Sequence, residues 1–194
     1  RGQPPREDPR PDPRDPPLMT RAFHRWYSHA LGRDMDLLVF GHAGPPVVVF
    51  PSSMGAFFEF EDRGMIDALR DKLEHGRLQL YCVSSVDSES WYAKSKHPRQ
   101  RIERHLQYES YILSDVVPLI RQLNSGYGIG VTGCSFGAYH AMAVYAWATF
   151  YDHAGGALFG PAVEADVADV FAARCTFAWR EGDPTIADEL PQHA

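Results

Sequence analysis

Gly130-Val131-Thr132-Gly133-Cys134-Ser135-Phe136-Gly137-Ala138 contains the pattern Gly-x-Ser-x-Gly. A β-prone run, Gly128-Ile129-Gly130-Val131-Thr132, precedes it, and a helix-prone run from Ala138 to Phe150 follows. Strand, tight turn and helix is the setting in which this pattern forms a nucleophile elbow, with the serine hydroxyl held clear of the backbone on a sharp turn. A side chain at either flanking glycine would crowd such a turn. The following helix aims its unbonded N–H groups at the serine, where an oxyanion would form. The alternative is an ordinary strand-to-helix turn with an inert serine; the flanking strand and helix favour the elbow.

Upstream of the elbow, the chain alternates. Arg99 to Leu123 predicts a long helix with an apolar stripe of Ile102, Leu106, Ile112, Val116, Ile120 and Leu123, kinked at Pro118. Arg101, Glu103, Arg104 and Glu109 are expected to face water, and His105 to be a surface or packing residue. Leu78 to Val83 predicts a strand. The polar loop after it, Ser84 to Pro98, carries Trp91 and Tyr92, which either line a pocket or cap the sheet edge. Arg63 to His75 predicts a helix burying Met65, Ile66, Leu69 and Leu73. Val47-Val48-Val49-Phe50 is wholly apolar and β-branched, as a central strand covered on both faces should be. Ala22–Leu31 and Met35–Phe40 predict two antiparallel edge strands around Gly32. The order β-β-β-α-β-α-β-elbow-α indicates a mostly parallel sheet with helices on both faces.

Composition bounds the function. The chain has 194 residues and a formal charge of -6, with no basic face to neutralise phosphates, so a nucleic-acid partner is not expected. No apolar run is long enough to span a bilayer, and no membrane partner is expected. Three cysteines, Cys82, Cys134 and Cys175, are too few for a disulfide framework and suit a reducing, cytoplasmic setting. No Cys/His cluster points to a metal. Residues 1–18 hold seven of the fifteen prolines and many arginines without an apolar segment, so they are expected to form a disordered tail and not a secretory signal, with the natural start near Met19.

Several segments together resemble the putative esterases of the α/β-hydrolase superfamily related to S-formylglutathione hydrolase (esterase D). They are Trp26 to Gly32, Val47 to Gly64 with Phe57-Phe58-Glu59-Phe60-Glu61-Asp62-Arg63-Gly64-Met65, Tyr108-Glu109-Ser110-Tyr111, and the elbow through Ala141. The resemblance spans roughly Arg21 to Val144. It implies an α/β-hydrolase fold over residues 19–194, with the C-terminal part incomplete. It also implies that Ser135 is the nucleophile toward a small-molecule carboxylic ester, that an acyl-serine forms, and that no cofactor is used. The oxyanion would be held by the N–H of Phe136 and by a second N–H from the loop Pro51-Ser52-Ser53-Met54-Gly55-Ala56, either Ser53 or Met54. Relatives of this kind include acyltransferases.

Downstream, the family order of serine, acid, histidine makes Asp183 the candidate acid, in the loop after a strand expected at Ala173–Trp179; a plain Gly-Asp-Pro turn is the alternative. For the histidine, His193 lies beside the terminus, His153 comes before the acid, and His140 is expected to point away from Ser135. The weak match from Ala146 onward suggests a truncated or frame-shifted end. The competing function is therefore a non-catalytic hydrolase-fold binding module or an inactive fragment without the catalytic histidine.

Overall fold

Arg21–Ser28 (β1) and Arg33–Phe40 (β2) form an antiparallel hairpin, paired from Arg21 opposite Phe40 to Ser28 opposite Arg33. The turn begins three residues earlier than expected, where Gly32 N–H donates to the Ser28 carbonyl at 2.8 Å. Pro46–Phe50 (β3), Gln79–Val83 (β4) and Gly130–Gly133 (β5) complete the sheet. The computed structural model describes residues 19–151. Expectations for residues 1–18, for the strand at 173–179 and for the C-terminal end lie outside them.

The strand order is β1-β2-β4-β3-β5. The β2–β4 pairing is antiparallel, and β3 runs parallel to both β4 and β5. The sheet is thus mixed: a parallel half bears the elbow, and the hairpin forms the antiparallel edge. Every residue of β3 and β4 is buried, which is why both are continuous apolar runs, apart from Gln79 at the start of β4.

Alternation along the strands sorts their side chains to two layers. Leu38, Phe40, Val47, Val49, Leu80 and Cys82 pack with Met65, Ile66, Leu69 and Leu73 on one face. Leu37, Val39, Val48, Phe50, Tyr81 and Val83 pack on the other with Tyr108, Ile112, Val116, Ile120, Ala141 and Val144. Each such aliphatic or aromatic side chain contributes roughly 1.5–3 kcal/mol by leaving water.

Two helical expectations need correction. The stretch Arg63–His75 is two short helices, Met65–Ala68 (α2) and Arg70–Glu74 (α3), and a further short helix, Glu59–Asp62 (α1), precedes it. The break falls at Leu69, whose N–H is shared between the carbonyls of Met65 and Ile66 at 3.1 and 3.2 Å. The apolar set read from the sequence is nevertheless the buried one.

The second correction concerns the long stretch Arg99–Leu123. It divides into Pro98–Tyr111 (α4), a π-helical segment Ile112–Val116, and Val117–Leu123 (α5). The Pro118 ring conflicts with the carbonyl of Ser114, and the widened π turn upstream accommodates it. That widening also shifts the phase of the helix face. Ile112, Val116 and Ile120 are buried as expected, but Ile102, Leu106 and Leu123 are 47%, 44% and 48% exposed. In α4 the inward face is instead His105, Tyr108, Glu109 and Tyr111. Glu109, expected in water, is buried 3.2 Å from His105.

Burial leaves the tyrosines of this layer resistant to ionisation. The Tyr81 hydroxyl donates to Gln79 at 3.0 Å, and burial pushes its pKa up to about 12. Burial also raises those of Tyr108 and Tyr111. The folded pKa exceeds the ordinary value of 10.0, so the unfolded chain ionises first. Stability is therefore full below pH 10 and falls as pH rises from there toward 12. Buried phenolate absorbance is expected to appear together with loss of the circular-dichroism signal; ionisation of these tyrosines in a still folded chain at pH 10 would contradict it.

Candidate active site

β5 ends at Gly133, and Phe136–Tyr151 forms the last described helix (α6). Between them Ser135 is exposed, with φ of 55° in the left-handed region. That conformation costs a non-glycine residue roughly 1–2 kcal/mol. The turn around it is closed by Gly137 N–H to the Cys134 carbonyl at 2.9 Å and Ala138 N–H to the Ser135 carbonyl at 3.0 Å. The flanking glycines are required by contact. A Cβ on Gly133 would lie 2.3 Å from the Gly137 carbonyl carbon, and one on Gly137 would lie 2.5 Å from the Phe50 carbonyl oxygen. The start of α6 is thereby pressed against the carboxyl end of β3. This places the α6 N–H groups, Phe136 first, beside Ser135.

The loop after β3 reaches the same end of the sheet, and its anchors come from several elements. Glu59 of α1 accepts from Ser52 N–H at 2.9 Å and from Ser52 Oγ at 2.6 Å. Tyr92 Oη donates to Ser53 Oγ at 2.8 Å. Ser85 donates to the Gly55 carbonyl through N–H at 3.1 Å and Oγ at 3.0 Å. Met54, with φ of 58°, donates its N–H to Asp87 Oδ2 at 3.0 Å. The 84–97 segment that supplies these partners is itself tied down by α4. Arg104 donates to Glu89 Oε2 at 2.5 Å and to the Leu31 carbonyl at 2.8 Å, and Arg101 donates to the Ser90 and Trp91 carbonyls.

Beneath the elbow, His140 of α6 meets Asp87, with Nε2 to Oδ1 at 2.8 Å and both side chains buried. The imidazole stacks on Phe50 at 5.9 Å and meets the edges of Phe136 and Tyr108 at 5.0 and 5.1 Å. Tyr92 stands edge-on to Phe136, and Trp91 packs on His105 and Tyr139. Both loop aromatics thus lie against the elbow helix.

Ser135, Phe136, Ser53 and Met54 therefore gather at one end of the sheet, where β3 and β5 run in parallel. Asp183, His153 and His193 lie outside the described residues. Among the described residues no imidazole is hydrogen-bonded to Ser135; His140 is engaged with Asp87. Sequence reasoning did not single out Asp87. It reads as one polar residue in a polar loop, and its partners are 33 and 53 positions away. Among the described residues no group of three His, Cys, Asp or Glu side chains is placed to hold a metal, and no helix is long and apolar enough to cross a membrane.

No protein-family model matches the chain, and no curated protein matches it. Solved structures do. A ferulic acid esterase superposes with a TM-score of 0.53 at 12% identity, over 73% of this chain and 58% of that one. The CE1 ferulic acid esterase AmCE1/Fae1A from the anaerobic fungus Anaeromyces mucronatus gives 0.52 at 12% identity, over 70% and 56%. An S-formylglutathione hydrolase from Agrobacterium tumefaciens gives 0.48 at 18% identity, over 65% and 52%. The chain thus spans little more than half the length of these proteins. The first two superpositions show the fold: a mixed α/β sheet with helices on both faces, of the α/β-hydrolase type found in such esterases.

Proposed function

We propose that the chain is a serine ester hydrolase that cleaves a small-molecule carboxylic ester through an acyl group on Ser135 Oγ. The carrying observation is the exposed Ser135 in a left-handed turn between two glycines with no room for a side chain. Attack of Oγ on the ester carbonyl forms the C–O bond, and the serine proton passes to a base. The carbonyl oxygen takes up negative charge, which backbone N–H groups stabilise; loss of such a donor costs about 3 kcal/mol. Collapse expels the alcohol, which takes a proton, and water then releases the acid. This chemistry needs no metal or organic cofactor.

Phe136 N–H is the first oxyanion donor in this scheme. Of the two candidates for the second, Met54 has its single amide hydrogen committed to Asp87. Ser53 N–H has no acceptor among the described residues, so we assign the role to Ser53. We assign no base among residues 19–151; Asp183, outside them, remains the candidate acid.

A single observation favours the second reading, a hydrolase-fold module that binds without turning over. It is the lack, among the described residues, of an imidazole bonded to Ser135. Fluorophosphonate labelling separates the two, because it needs an activated serine. Labelling at Ser135, located by peptide mass spectrometry and accompanied by p-nitrophenyl acetate turnover, is the expected result. A folded chain that remains unlabelled at high probe concentration would support the binding module.

A further inference from the structure

Ser52 and Met54 both have their amides tied to carboxylates, Glu59 for the first and Asp87 for the second. The N–H between them, on Ser53, is left without an acceptor among the described residues. Glu59 belongs to the helix that follows the loop. Asp87 is different, because its carboxylate joins three separate segments: its own loop after β4, Met54 in the loop after β3, and His140 on the helix that follows Ser135.

Resting on the ester-hydrolase reading, we propose that Asp87 and His140 are positioning residues that set the Ser53 amide relative to the Phe136 amide. A buried carboxylate is costly unless its partners are well placed, and an apolar pair of similar volume would pack as well. What the carboxylate adds is two acceptor oxygens aimed at donors on different elements. Oδ2 holds Met54 in its left-handed conformation, with φ of 58°, a state the residue would leave if unanchored. Oδ1 holds His140, four residues along α6 from Phe136, with the imidazole wedged between Phe50 and Phe136. The loop and the elbow are thus registered against each other through one buried group. The group touches neither the substrate nor the reacting atoms. It acts on the spacing of the two donors, and misplacement on the scale of 1 Å can cost about 100-fold in rate.

The test uses the full chain. Turnover of p-nitrophenyl acetate is expressed per fluorophosphonate-reactive serine, and exchange of the Met54 amide hydrogen is followed by NMR. Asp87→Ala and His140→Phe are each expected to lower kcat per reactive serine by about 100-fold with KM little changed. His140→Gln, which keeps a donor toward Asp87, is expected to recover much of the loss seen with His140→Phe. The Met54 amide should be protected in the parent chain and exposed in Asp87→Ala. A purely structural role would lower the yield of reactive serine and leave kcat per reactive serine at the parental value, and that outcome overturns the proposal. So does a Met54 amide that exchanges equally fast with and without Asp87. A parent chain that neither labels nor turns over overturns the hydrolase reading instead, and the Met54 exchange measurement then decides separately whether the clamp exists.

Discussion

Ser135→Ala is expected to lower ester hydrolysis by up to the roughly 10⁶-fold that follows removal of the nucleophile in a serine hydrolase. Alanine removes the attacking oxygen and keeps the Cβ, so the turn stays strained and the fold unchanged. Ser135→Gly removes the oxygen and also the Cβ that makes φ of 55° unfavourable. At a regular helical position glycine is the less stable choice by about 1 kcal/mol. Here the order should invert, with Ser135→Gly about 1 kcal/mol more stable than Ser135→Ala, because relief of the left-handed conformation outweighs glycine's greater freedom when unfolded. Both variants should be inactive. Urea unfolding monitored by tryptophan fluorescence gives the stability order, and p-nitrophenyl acetate gives the rates. Residual parental turnover in Ser135→Ala would move the chemistry to another residue. A glycine variant less stable than the alanine one would show that the turn is not strained.

That inverted order expresses what the sequence could reveal. The elbow was legible because its constraint is written in the residues themselves: two positions that tolerate no Cβ, and a serine between them. The core strands were legible for a similar reason, since Val47 to Phe50 must be apolar on both sides of a covered sheet. The phase of α4 was not. A stripe through Ile102 and Leu106 assumes uniform helical spacing, and the π segment at Ile112–Val116 breaks it. Glu109 and His105 then turn inward as a pair, which no local pattern signals. Asp87 was hidden for a related reason: its role depends on Met54 and His140, brought to it only by the parallel pairing of β3 with β4 and β5. Local backbone demands leave a trace in sequence; a contact between distant polar side chains does not.

Gly137→Ala tests the closest backbone approach in the site. Its Cβ would meet the Phe50 carbonyl oxygen at 2.5 Å and the Pro51 carbonyl oxygen at 2.6 Å. Neither obstacle is a side-chain tip that can swing aside, so α6 must move away from β3 or the strand end must bend. Overpacking a closed site typically costs 1–3 kcal/mol; with two backbone oxygens opposed, the loss should be at least the upper figure, about 3 kcal/mol. Gly133→Ala should behave alike, since its Cβ would lie 2.3 Å from the Gly137 carbonyl carbon. The two substitutions strain different contacts that share Gly137, one against β5 and one against the end of β3, so their effects should couple and the double variant should depart from the sum. Gly126→Ala is the control: nothing lies within 4 Å of its Cβ, and a change within about 0.5 kcal/mol is expected. The catalytic loss should exceed what instability explains. Moving α6 shifts Phe136 N–H relative to Ser53 N–H, so the fraction of Gly137→Ala that remains folded should label with fluorophosphonate about 100-fold more slowly. If Gly137→Ala unfolds at the parental urea concentration and labels at the parental rate, α6 does not press on β3, and the elbow geometry that carries the hydrolase assignment is wrong.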